Sequence, residues 1–149
     1  MRFNEARKLS DKQKKMYVAV NDMRRKIGDT AMKHYKKSFD DEGFTDITLK
    51  KWKPLKRERE VPYRGGKILS RTERLKNSLK KRVMSSKTEF SFTIFSNLIY
   101  ADIHNWGMWG KAWGKHRFKM PKRQYIGYSR ILDKKLEAYF KMKIDRIFK

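Results

Sequence analysis

The chain has 149 residues, no cysteine, and 40 Lys and Arg against 16 Asp and Glu, for a formal charge of +24. That length suits one domain, 1–149, with one modest core, and the lack of cysteine excludes disulfides, thiolate catalysis and cysteine-ligated zinc. No run of about 18 apolar residues occurs and "MRFNEARKLSDKQKK" lacks an apolar signal region, so a cytoplasmic product with no membrane partner is expected.

From Asp11 to Phe39, the apolar residues Met16, Val20, Met23, Ile27, Ala31, Tyr35 and Phe39 fall at steps of three and four, which predicts an amphipathic helix. "SDKQ" at Ser10 to Gln13 reads as its capping box. Gly28 costs this helix roughly 1 kcal/mol relative to alanine, and Gly43 reads as its C-terminal cap. The segment 44–70, with two prolines and a Gly-Gly pair, reads as a long extended connection pinned by Trp52 and Leu55. "SRTE" at Ser70 to Glu73 reads as a second capping box, opening a short helix with Leu75 and Leu79 on one face.

The period then changes to two. Phe90, Phe92 and Ile94 alternate with Glu89, Ser91 and Thr93, which predicts a strand with one buried face, and "KRVMSSK" is its expected hairpin partner. Leu98, Ile99, Ile103 and Trp106 predict one or two helical turns, stopped by glycines 107, 110 and 114. "HRFKMPKRQYIGY" reads as an edge or irregular strand because of its proline. Ser129 is placed to cap a last helix that carries Leu132, Leu136, Phe140, Ile144 and Ile147 on one face. The expected fold class is α+β: a small antiparallel sheet packed with two long amphipathic helices and a short middle helix, with one extended loop.

The stretch "LIYADIHNWGMWG" invites an enzyme reading. His34, His104 and His116 lack metal-ligand spacing, so no metal site and no cofactor is expected. A metal-independent ribonuclease would use His104 or His116 with Arg117 and Arg123, but among 40 basic residues any histidine has arginine neighbours. Trp106, Trp109 and Trp113, flanked by lysines, suit either a stacking platform for single-stranded nucleic acid or the centre of a protein interface. Residue types alone leave both open. Dense, nearly acid-free runs single out Lys50, Lys51, Lys53, Lys56, Arg57 and Arg59, and then Lys76, Lys80, Lys81 and Arg82, as a surface turned toward DNA or an acidic partner.

The order of motifs carries more than any one of them. Phe39, Gly43 and Phe44, then Trp52, Pro54 and Leu55, then "KILSRTERLKNSL", an amphipathic strand, "YADIHNWG", "MPKRQYIGYS" and a closing helix together resemble the phage virion morphogenesis family, from about residue 15 onward. Tyr100, Ala101, Ile103, His104 and Gly107 match the family's turn motif, and Arg123, Tyr125, Gly127 and Ser129 match the lead-in to its last helix. Two departures stand out: Thr72, Glu73, Arg74 and Leu75 replace a threonine-glycine-x-leucine pattern, and the loop Met108 to Lys119 has no family counterpart.

The resemblance implies a structural, non-catalytic virion component, assembled in the host cytoplasm and placed at the neck or the head-proximal end of the tail. It also implies a homo-oligomeric ring, six-fold by default, contacting neighbouring neck, connector or tail-tube proteins, with nonspecific DNA contact as a further expectation. His104 would then order a turn, and Trp52, Trp106, Trp109 and Trp113 would be interface candidates. The rival reading is a basic nucleic-acid-binding protein or ribonuclease toxin.

Overall fold

The computed structural model describes residues 10–54, 67–85, 90–112 and 116–148. Helix α1 spans Asp11–Asp40, and its capping box forms as expected: the Gln13 N–H donates to Ser10 Oγ, and the Gln13 side chain accepts from the Ser10 N–H. The buried part of its stripe is Met23, Ala31 and Phe39, whereas Met16 is 44% exposed because the first turns of α1 extend past the core.

Gly43 does not cap this helix. The left-handed position falls on Glu42, at φ 51°, and Gly43 begins strand β1, Gly43–Thr45, which pairs antiparallel with β2, Leu49–Lys51. A β-carbon on Gly43 would lie 2.6 Å from the Lys50 carbonyl oxygen, so glycine serves close strand approach there. The expected loop 44–70 thus starts as a hairpin; Leu55 and the rest of 55–66 lie outside the described residues.

The short middle helix α2 is Arg74–Asn77, one turn later than the expected capping box. Ser70 Oγ turns back to the Ile68 carbonyl, and Glu73 makes no side-chain cap bond. Glu73 instead adopts φ 50°, ψ 7°, a left-handed conformation that costs a non-glycine residue roughly 1–2 kcal/mol. This is the position where the chain departs from the family's glycine, and the backbone keeps the glycine geometry without the glycine.

Strands β3, Leu79–Ser85, and β4, Phe90–Ser96, form the hairpin expected from the period-two pattern, in a register that sets Lys81 opposite Ile94 and Val83 opposite Phe92. One face turns inward through Leu79 and Ile94. The other carries Lys80 and Arg82, with the Arg82 guanidinium 5.3 Å from the Phe95 ring centre.

Helix α3 is Ala101–Trp106. The tryptophan-glycine segment, expected as a loop, forms a third hairpin from β5, Trp109–Ala112, and β6, His116–Lys119. The Phe118 ring lies over Gly110, where a β-carbon would come within 2.6 Å of it. Residues 120–129, expected to continue as a strand, pair with no strand and lead irregularly into α4, Arg130–Phe148. The fold is α+β, but the single expected sheet is, among the described residues, three separate two-stranded sheets.

The core gathers where α1, the β1–β2 hairpin and the irregular segment meet. Phe39 is fully buried, with its ring centre 5.7 Å from Trp52 and 5.0 Å from Tyr125, and Ile68, Leu75, Leu79 and Ala101 close around them. A second cluster of Ala31, Ile94 and Leu132 joins α1, β4 and α4.

Candidate functional site: the joint around Asn105

Gly107 ends α3 at φ 68°, and a β-carbon there would stand 2.9 Å from the Lys122 backbone. Glycine is therefore required both by conformation and by the close pass of the returning chain. That returning chain is the second motif, Pro121 to Ser129. Because it forms no strand, its backbone polar groups need other partners.

Helix α3, Trp52 beyond β2, and α1 supply them. The Arg123 N–H donates to the His104 carbonyl at 2.8 Å. Asn105, 4% exposed, accepts through Oδ1 from the N–H groups of Tyr125 at 2.9 Å and Ile126 at 3.0 Å, and donates through Nδ2 to the Ile126 carbonyl at 3.1 Å. Trp52 Nε1 donates to the Gln124 carbonyl at 2.7 Å, and the Tyr35 hydroxyl donates to the Gly127 carbonyl at 2.9 Å. The Tyr125 hydroxyl donates to the Ala101 carbonyl at 2.9 Å, and burial holds its phenol far above the ordinary tyrosine range. Ser129 Oγ donates to the Thr45 carbonyl at 2.8 Å and accepts from the Leu132 N–H at 3.3 Å, capping α4 as expected while tying it to β1.

The two sequence motifs are thus one interlocked joint. Ala101, Gly107, Arg123, Tyr125, Gly127 and Ser129 come together in it. Tyr100 sits at its edge, with its ring 5.9 Å from that of His104, and Ile103 accepts backbone N–H groups that close α3.

His104 joins through its main chain. Its half-buried ring leaves Nδ1 buried with no hydrogen-bond partner among the described residues, so the expected turn-ordering side-chain bond is not there. The amide that orders the turn is the next residue's. In the sequence "HN" reads as chemistry, yet Asn105 stands four residues after the buried Ala101, on the same helical face, which is the signal for an inward polar side chain.

Burial, and then the Arg123 charge, lower the His104 pKa, which leaves the ring neutral at pH 7. His116, the other histidine of the ribonuclease reading, is exposed on β6. Among the described residues no group of three His, Cys, Asp or Glu is disposed to hold a metal ion.

The remaining candidates scatter over the surface or into the core. Trp52, expected at an interface, is a core residue at 6% exposure, because its ring packs on Phe39 and its N–H is used by Gln124. Trp106 and Trp109 are 52% and 62% exposed, beside exposed Met108, and Lys122 Nζ lies 5.5 Å from the Trp106 ring centre. Trp113 lies outside the described residues.

Of the basic candidates, Lys50, Lys53, Lys80 and Arg82 are exposed. Lys76 is held by Asp40 at 2.6 Å and Lys81 by Asp29, while Lys51 donates to the Asp41 carbonyl at 2.6 Å. These three make surface bonds to acidic or carbonyl groups of α1 and its C-terminal cap, and Lys51 and Lys81 are also exposed. Lys56, Arg57 and Arg59 lie outside the described residues.

The family model of the phage virion morphogenesis family matches residues 4–143, nearly the whole chain, which gives the protein a role in building a phage particle. Neither a curated protein nor a solved structure matches it.

Two outcomes follow from the joint. Asn105→Ala leaves two N–H groups and one carbonyl of the irregular segment unpaired in the interior, and is expected to cost about 3 kcal/mol in urea denaturation. His34 and His104 are both depressed from 6.5, chiefly by burial, so the unfolded chain binds protons more readily than the folded one. Stability is therefore complete above about pH 6.5 and falls as the pH drops below it. A His34→Gln, His104→Gln double variant should show a shallower fall in denaturation midpoint between pH 7 and 5.

Proposed function

As the chain belongs to the phage virion morphogenesis family, we propose that it is a structural neck or tail-completion protein. In this reading it assembles as a ring, six-fold by match to tail symmetry, at the head-proximal end of the tail and helps join tail to head. The observation that carries the reading is the joint around Asn105. The loop that looks catalytic helps hold the lead-in of α4, where the carbonyls of Gln124, Ile126 and Gly127 are taken by the side chains of Trp52, Asn105 and Tyr35. A ring or joint protein needs such a rigid body, since its neighbours must meet faces of fixed shape.

The surface supplies those faces. Trp106, Met108 and Trp109 form an exposed apolar edge, the composition found at the energetic centre of protein interfaces. A closed ring needs two different patches per subunit, and this edge is one of them. Lys50, Lys53, Lys80 and Arg82 remain available to an acidic neighbour.

Complementation of a phage lacking this gene tests the reading. The natural chain should restore joined, infectious particles, and His104→Gln should restore them to within about tenfold. A Trp106→Ser, Trp109→Ser variant that folds normally by circular dichroism should leave heads and tails unjoined. If the purified protein cleaves labelled RNA, and His104→Ala abolishes that cleavage, the structural reading is wrong.

A further inference from the structure

Two open cavities, of about 780 and 540 Å³, run along the seam between α1 and α4 and share Asp22, Arg25 and Lys143 in their walls. Lys14 and Lys15 line the first and Lys26 and Arg146 the second, so six cations face two carboxylates, Asp22 and Asp29. Both carboxylates are engaged: Asp22 by Arg25 at 3.1 Å and by Lys143 at 3.4 Å, Asp29 by Lys81 from β3. Lys14 also meets Asp11, at 3.2 Å, in a solvent-exposed pair of little strength.

We propose that this seam is a sequence-independent binding track for the phosphate backbone of nucleic acid. The juxtaposition is of α1 cations with α4 cations, far apart in the chain, and it differs from the basic runs visible in the sequence. From Lys14 to Arg25 is eleven residues, about 16 Å of helix. One DNA strand places a phosphate about every 3.4 Å of axis, so that length spans about five of them.

The lining favours a phosphate backbone over an acidic protein. Stable protein interfaces are anchored by buried aromatic or aliphatic groups in pockets. The walls also hold Val18, Ala19 and Met142, but six cations stand among them and the one aromatic, Tyr139, has Lys143 Nζ 5.7 Å from its ring centre, so charge rather than an apolar anchor dominates the lining. Asp22 accepts from both Arg25 and Lys143, which brings cations of the two helices to one carboxylate.

The test is fluorescence anisotropy of the full chain with a labelled 20-base-pair duplex of mixed sequence, over a range of salt concentrations. A seam variant, Lys14→Gln, Lys15→Gln, Lys143→Gln and Arg146→Gln, is compared with a control of equal charge loss, Lys50→Gln, Lys53→Gln, Lys80→Gln and Arg82→Gln. Both are checked for native melting by circular dichroism. The seam variant should bind at least about tenfold more weakly at 100 mM salt, and its log Kd against log salt plot should be shallower by about three, since each lost phosphate contact removes about 0.9. The control should lose less than about threefold.

Equal loss in both variants would mean that the charge acts diffusely, and unchanged binding by the seam variant would mean that the seam holds no phosphate; either result overturns the proposal. A loss seen with labelled polyglutamate but not with the duplex would assign the seam to an acidic polypeptide and overturn it as well. None of these outcomes bears on particle joining, so the proposed virion role stands or falls separately.

Discussion

A single buried amide, that of Asn105, sets the conditions for the rest of the molecule. Residues 120–129 run through the protein without a strand to pair with, and an irregular backbone can be buried only if its donors and acceptors are met. Asn105 meets three of them in one place, which holds Tyr125 over Phe39 and against Ala101. From that fixed point the chain reaches Ser129, is tied to β1 and enters α4 at the angle that seats Leu132 on Ala31. The Asp46 carboxylate reinforces the start of α4, accepting the Arg130 N–H at 2.8 Å and pairing with its guanidinium.

How much of this the sequence discloses depends on whether the determining contact is local. The capping box of α1, the stripe through Met23, Ala31 and Phe39, the alternation in β4 and the Ser129 cap are governed by neighbours within a few residues, and all are legible. The β1–β2 hairpin is not, because "LKK" is exposed throughout and carries no alternation; its pairing is set by Gly43 lying close beneath Lys50. Glu42 and Glu73 take left-handed conformations that nothing in their residue type announces. Trp52 reads equally as a pin for the connection and as an interface residue because tryptophan suits both places, and the long-range bond to Gln124, 72 residues away, decides for the core.

The candidate site divides in the same way. The motif residues are readable as a set, but their purpose is not, since His104 draws the eye and the adjacent Asn105 does the holding. The basic runs mislead for a related reason: density along the chain is not density in space. Lys76 and Lys81 pair at the surface with Asp40 and Asp29, while a cluster with six cations in its walls brings together residues more than a hundred positions apart. The motif residues lie largely inside or at the joint, and the exposed tryptophans and lysines lie outside it.

The most direct measurement is the copy number of this chain in purified particles, by quantitative mass spectrometry against the major tail protein, with its position fixed by antibody labelling. The account predicts a constant, multiple-copy complement per particle at the head–tail junction. Absence from purified virions, or a trace amount that varies between preparations, would contradict it.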